Sequence, residues 1–485
     1  MIIMGDPFTY ESIAQLIIKV IVAQMVSKVS KSKPLEQVIT TINNEFSSIL
    51  QMLRKFPDSK ALRQVLAQMI QRKMRSDDLF AKTINTSLIN YMLLLENKIN
   101  VARDLNRLDE EVNSLMMLAE IYLMRGNWAK SLQLYNNAQS IFSVKNDCYG
   151  QCHALIGIGN AYDKQGKISE AISTYALALD TTKQIEDPLI KAELLNNIAN
   201  IYVEEKMWNK AVPNYEQALS LYRTHGNIHS ECETLMNMGV ALREMGDLEK
   251  SLSIFRDALQ KSQKIGDIYI ENAIRVNFAN TYFNLKLYSE AHKEYEKSLD
   301  ILKALEDQQS IAVVIMNIGS ICYVSKQYTE ALKSFDECLR IYRSISDKRD
   351  ECIALMNRGN VYRDLKQWNN SFNDYKNSLE ISRMFKDRFN EGQVLRNMGV
   401  AHLSANNSDN AIKAFSEALF IFREIENIHE EAGLLANRAI AYANAREVEL
   451  AKRDLIDAKN KSRDVNEIKF IEYLQDEIER QSGGK

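Results

Sequence analysis

The sequence predicts an all-α chain in which one helix–turn–helix unit recurs about nine times in register. Three observations predict it. The 485 residues include only 17 Gly and 5 Pro, far fewer turn residues than three mixed domains of this length would need, so helices joined by short, similar turns fit better. Small residues return every 40 positions, at Ala119, Gly159, Ala199, Gly239, Ala279, Gly319, Gly359, Gly399 and Ala439. Capping residues keep the same step, at Asp147, Asp187, Asn227, Asp267, Asp307, Asp347, Asp387 and Asn427. A self-similar period of this length marks a stacked solenoid rather than separate domains. Hydrophobic residues make up 46% of the chain, enough to bury a core, which excludes disorder as the default. The near balance of 61 Lys+Arg against 64 Asp+Glu excludes a basic, nucleic-acid-coating protein.

Each unit is legible in order. Asp and Asn at the junctions are strong N-cap types, and Asp187-Pro188 adds a proline at the first helical position. These acids are expected to be caps, not catalysts. The first helix then carries the small residue, so that the second helix can approach. Three positions on, an aromatic at Tyr122, Tyr162, Tyr202, Tyr282, Tyr362 and Tyr442 is expected to fill the space beside it. Gly126, Gly166 and Gly246, or Lys and Asn in other copies, suit a left-handed helix end. The second helix places small residues (Ser131, Ala171, Ala211) and large ones (Tyr135, Tyr175, Tyr215, Phe255, Tyr295, Phe335, Tyr375, Phe415, Leu455) on an inward stripe.

This small–aromatic–small–aromatic–small order closely resembles the tetratricopeptide repeat. The resemblance covers residues 106–466 as nine units and implies a right-handed superhelix whose first helices line a concave groove. With 40 residues per unit, Asn357-Arg-Gly-Asn-Val-Tyr362 and an Asp at each junction, the chain is most similar to the Pins-type spindle-orientation adaptors. Bacterial peptide-pheromone receptors of the Rap type have similar repeats.

The ends depart from the period. Residues 1–105 are expected to form an N-terminal helical domain or cap, with helices at about 10–30, 34–55, 59–75 and 78–100, and with Ile39, Ile42, Phe46, Ile49, Leu50 and Leu53 on one face. Pro34 and Pro57 punctuate these helices, and Asp58 and Asp77 can cap. Residues 467–485 are expected to be a capping helix with a charged outer face, then a loose tail from Ser482. The apolar stretch from Ile13 to Val29 is interrupted by Gln15, Lys19, Gln24, Ser27 and Lys28, too short and polar to span a bilayer. The start, Met1 to Asp6, has no basic region typical of a signal peptide. Six Cys within helical patterns fit a reduced, cytoplasmic protein better than a disulfide framework.

Enzyme motifs fail on inspection. Gly159 to Gly166-Lys167 has the wrong spacing for a phosphate loop, with Ile168 where Ser or Thr is required. Gly157-Ile-Gly159 has no third glycine, and His225 and His229 are split by Gly226-Asn227. Neither the Cys148/Cys152 pair nor any other set has metal-ligand spacing. The sequence therefore predicts no catalytic residues, no metal and no cofactor.

What remains is the face of the first helices. Asn lies two positions before the small residue at Asn197, Asn237, Asn277, Asn317, Asn357, Asn397 and Asn437, and one position after it at Asn160, Asn200, Asn280 and Asn360. These positions are three apart, on one helix face. A carboxamide offers both a donor and an acceptor, so a ladder of them can hold an extended peptide backbone, and in proteins of this resemblance such positions contact peptides. Arg363 and Arg396 flank the ladder. Arg358 and Arg438 occupy a slot that is apolar elsewhere, so each either snorkels toward water, the favoured expectation, or meets an acidic partner. Together the arginines suggest an acidic ligand in the C-terminal half, while Glu193, Glu204, Glu233 and Glu244 make the middle acidic. The three-repeat carboxylate clamp for chaperone tails is absent, since Met116, Ile156, Asn196, Met236, Val276, Met316, Met356, Arg396 and Ala436 fill its lysine position.

The expected function is a non-enzymatic scaffold or adaptor that binds a protein or peptide segment in the groove, with neither nucleic acid nor a transmembrane segment involved. Self-association through the N-terminal helices stays open. Two alternatives stand beside it: a peptide-gated regulator of the Rap type with the N-terminal helices as output, and a structural subunit of a large ciliary or transport assembly.

Overall fold

A computed structural model describes residues 78–185, 187–305, 307–462 and 465–483, with isolated residues between 40 and 73. Among the described residues every regular element is helical. Helix α1 (Asp78–Asp104) precedes the hairpins α2 (Leu108–Met124) with α3 (Trp128–Val144), α4 (Cys148–Lys164) with α5 (Ile168–Thr181), and α6 (Pro188–Glu204) with α7 (Trp208–Thr224). There follow α8 (Ile228–Glu244) with α9 (Leu248–Ile265), α10 (Ile268–Asn284) with α11 (Tyr288–Ala304), and α12 (Gln308–Val324) with α13 (Tyr328–Ser344). The series ends with α14 (Lys348–Asp364) and α15 (Trp368–Met384), α16 (Arg388–Ser404) and α17 (Ser408–Glu424), α18 (Ile428–Asn444) and α19 (Val448–Lys461), and finally α20 (Val465–Gly483). The chain divides into two compact units, Met1–Ile301 and Leu302–Lys485.

The junction acids are the caps the sequence predicts. Asp147 accepts from the Gly150 N–H at 2.9 Å, Asp187 from Leu189 at 3.0 Å, Asn227 from Ser230 at 3.1 Å and Asp267 from Tyr269 at 3.0 Å. Asp307, Asp347, Asp387 and Asn427 repeat the bond to Ser310, Asp350, Asn390 and Glu430. Each satisfies one of the amides that a helix N-terminus leaves unpaired. At the other end of the helices, left-handed residues recur every 20 positions, at Asn106, Gly126, Asn146 and Gly166, and again from Lys206 to Arg446 with only position 306 undescribed. The bonds across them close both kinds of turn alike: Asn127 N–H reaches the Tyr122 carbonyl at 3.0 Å, and Asp147 N–H the Phe142 carbonyl at 2.9 Å.

The small residue works as expected, but a different ring fills the space over it. A methyl group added at Gly159 would meet the Tyr175 ring at 2.5 Å, and at Gly359 the Tyr375 ring at 2.7 Å. The close neighbour is thus the aromatic of the second helix, 16 residues on. The aromatic three positions past the small residue packs at the edge of the buried cluster, as Tyr202 and Tyr282 do, with Lys130 over Tyr122 at 4.6 Å and Lys210 over Tyr202 at 5.6 Å. In the first unit Tyr215, Phe255, Ile274 and Phe278 pack into one buried cluster; in the second, Tyr375, Phe415, Phe422 and Leu455 do so.

At the front, α1 packs on α2, and the Phe46 ring meets Phe80 edge-on at 6.3 Å. Ile42, Phe46, Ile49 and Leu50 are buried, as the expected face requires. Ile39, Leu53, the caps Asp58 and Asp77, and the stretch Ile13 to Val29 lie outside the described residues. At the back, α20 buries Ile471, Leu474 and Ile478. Its outer face exposes Lys469, Glu472, Asp476, Glu479 and Arg480, together with Phe470 and Tyr473, and the helix runs to Gly483, past the expected start of the tail. No described helix is long and apolar enough to cross a membrane.

Candidate peptide-binding face

The ladder asparagines all lie on first helices, α4, α6, α8 and α10 in the first unit and α12, α14, α16 and α18 in the second. Within each unit first helices touch one another: α2 with α4, α6 with α8 and α8 with α10; then α12 with α14, α14 with α16 and α16 with α18. This brings Asn197, Asn200, Asn237, Asn277 and Asn280 onto one continuous face, and Asn317, Asn357, Asn360, Asn397 and Asn437 onto another. Asn160 precedes the first set on α4. All are half-buried except Asn397, which is buried.

Their hydrogen bonds form a pattern. The Tyr215 hydroxyl donates to Asn200 Oδ1 at 2.6 Å and Tyr375 to Asn360 Oδ1 at 2.7 Å. Tyr175 and Tyr295 do the same to Asn160 and Asn280. Asn200 Oδ1 also accepts from Asn237 Nδ2 at 3.3 Å, and Asn277, whose oxygen accepts from Arg243 at 3.3 Å, turns its Nδ2 back to the Ala273 carbonyl. Burial pushes the Tyr175 and Tyr215 hydroxyls far above their usual range and Tyr375 up to about 12, so all three remain protonated donors at any working pH.

The arginines are arranged differently from the expectation. Arg358 and Arg438 do not snorkel. Each makes a two-pronged bond to an aspartate 16 residues on: Arg358 to Asp374 at 2.8 and 2.7 Å, and Arg438 to Asp454 at 2.7 and 2.8 Å. Asp336 and Ser416 take the remaining guanidinium arms. Arg363 reaches Asp364 at 2.9 Å and the Tyr323 hydroxyl at 3.0 Å, while Arg396 meets Glu430 at 2.8 Å. The guanidiniums that suggested an acidic ligand thus already hold protein carboxylates. In the first unit, burial and the neighbouring Asp163 raise the Glu204 carboxyl.

Two features escaped the sequence reading. One is a junction bond repeated at a spacing of eight: Arg103 to Glu111, Arg223 to Glu231, Arg343 to Glu351, Arg383 to Glu391 and Arg423 to Glu431, at 2.6 to 3.2 Å. The other is the pairing of tyrosine with asparagine, visible as an alternation between repeats. Where the second helix has Phe255, Phe335, Phe415 or Leu455, the paired position holds Val240, Ser320, Val400 or Ile440. Cys152, Cys232, Cys322, Cys338 and Cys352 are buried, and burial raises the Cys152 thiol to about 11 and Cys232 to about 12, which suits packing rather than reactivity. Among the described residues no three His, Cys, Asp or Glu side chains are grouped to hold a metal.

A family profile described as tetratricopeptide repeat matches residues 110–184, 191–264, 269–344 and 350–424, more than half of the chain. Among solved structures, the chain is similar to a signal transduction ATPase with numerous domains from Pyrococcus horikoshii that carries a tetratricopeptide repeat sensor. The identity is 17%, covering 78% of this chain and 64% of that one, with a TM-score of 0.51. Aspartyl phosphate phosphatase F from Bacillus subtilis is 13% identical over 74% of this chain and 94% of that one, TM-score 0.49. A Rap protein complexed with Competence and Sporulation Factor is 14% identical over 87% and 99%, TM-score 0.44. At such identities the likeness is one of fold. No curated protein sequence matches the chain.

Proposed function

Because this chain belongs to the tetratricopeptide repeat family, we propose that it is a non-enzymatic scaffold that holds an extended segment of a partner protein along the face of its first helices. One observation carries the reading: a half-buried row of carboxamides on the first helices of each unit, in which Asn160, Asn200, Asn280 and Asn360 each accept a tyrosine hydroxyl on Oδ1 while their Nδ2 groups remain to be used. A folded surface that arranges amides in a row, with apolar Met236, Val276, Met316 and Met356 beside them, suits a backbone that needs hydrogen bonds and side chains that need modest pockets. Arg363 and Arg396 act here as neutralised contributors to the face rather than as an anion site.

The test is affinity capture with the wild-type chain and with Asn277, Asn317 and Asn357 all changed to Ala. Partners are expected to be lost from the triple variant. The same partners returning at equal yield would sink the reading.

A further inference from the structure

We propose that Tyr175, Tyr215, Tyr295 and Tyr375 are positioning residues that lock the Asn160, Asn200, Asn280 and Asn360 carboxamides with their Nδ2 donors toward the ligand, so that these four rungs select backbone carbonyl groups. The inference rests on the proposed peptide-binding face and adds which half of each amide is on offer.

The orientation follows from donor chemistry. A guanidinium has no acceptor, and Arg363 donates to Asn360 at 3.4 Å, so the atom on that side is the oxygen. In the first repeat Tyr135 meets Glu120 at 2.5 Å in the equivalent position. A buried tyrosine facing a carboxylate donates, which shows the direction of this bond where the partner cannot. At Asn200 two donors, Tyr215 and Asn237, occupy the oxygen. Among the described residues none of the four Nδ2 groups donates to the protein, and all four asparagines are half-exposed.

Packing does not require the hydroxyl. Phe255, Phe335 and Phe415 fill the same slot and are fully buried there, as are the four tyrosines. The hydroxyl appears only where an acceptor stands 15 residues earlier. A buried hydroxyl without a partner is costly, so the pair is kept together, and its effect reaches the face only through the amide.

The experiment selects short random peptides displayed against the full chain, keeping a peptide whose binding is lost in the Asn277, Asn317 and Asn357 triple variant. The probe is then measured against Tyr175→Phe, Tyr215→Phe, Tyr295→Phe and Tyr375→Phe combined. Binding is expected to weaken about tenfold with helical content unchanged. Asn200→Asp with Asn280→Asp keeps the tyrosine bond but replaces donors by acceptors, and is expected to weaken it about a hundredfold. Unchanged affinity in both variants overturns the positioning role while leaving the peptide face intact. Selection that yields no such peptide overturns the peptide face itself. A readout without ligand guards the inference: the Nδ2 proton signals of the four asparagines should shift and exchange faster in the Phe variant, and unaltered signals would refute the lock.

Discussion

The two compact units fill one slot of the same repeat differently. In the first, the slot before the small residue is apolar, filled by Leu118, Ile158, Ile198, Met238 and Phe278, and burial, then the neighbouring Asp163, make Glu204 harder to ionise. In the second, that slot alternates between apolar Ile318 and Met398 and the arginines Arg358 and Arg438, each clasped by a buried aspartate. The lesson is that charge counted along a chain differs from charge on offer. The second unit places arginines in that slot and uses them internally, whereas the first unit's buried Arg275 sits elsewhere, bonded to Glu271 and Glu294.

The most forceful way to break this comparison is Arg358→Leu. Asp374, only 2% exposed, would be left without its guanidinium, and about 3–5 kcal/mol of local stability should be lost. Hydrogen exchange should accelerate in α14, α15 and α16 while the first unit is unaltered. Adding Asp374→Leu should restore most of the loss, because the first repeat already uses Leu118 and Leu134 in these two slots. If the single change leaves exchange unaltered, the pair is not structural.

A smaller effect sharpens the contrast through pH. Burial pushes the Glu351 carboxyl up, but bonds from Arg343 and Lys348 outweigh it and hold it below the usual glutamate range. Its folded value is lower than its unfolded one. Its contribution is therefore present above the ordinary carboxylate range and disappears as pH falls through the lower folded value. Glu351→Gln should cost about 1–2 kcal/mol near neutrality and flatten the acid limb of the second unit's urea stability. The smallest expected effect has the reverse sign. Glu204 titrates above its unfolded value, so its contribution favours folding at low pH and is lost as pH rises through the folded value. Glu204→Gln should slightly stabilise the first unit at neutral pH, and a loss of stability there would contradict a carboxylate disfavoured by burial and by Asp163.

Much of this was readable beforehand for a physical reason. A 40-residue period forces every copy to solve the same local problems, so caps such as Asp187 and close-approach glycines such as Gly359 stand out as columns. The Asn columns were readable for the same reason. What was not readable depends on pairs that cross a hairpin. Arg358 finds Asp374 at a separation of 16 and Arg343 finds Glu351 at eight, distances with meaning only after the helices are folded back. The tyrosine bond was hidden differently: Tyr and Phe look alike as apolar fillers, and only comparing the two columns row by row, Tyr215 with Asn200 and Phe255 with Val240, exposes the hydroxyl's purpose.

The turns carry a consequence of their own. Lys206, Lys286, Lys326, Lys366 and Lys386 hold the left-handed backbone that Gly126 and Gly246 hold elsewhere, a conformation that costs a residue with a side chain about 1 kcal/mol. Each is therefore a site where glycine should tighten the fold without altering a single packed contact. A chain with so many such sites has untapped thermal headroom distributed along its length, and a variant library restricted to them should raise its melting temperature while leaving the first-helix asparagines unchanged.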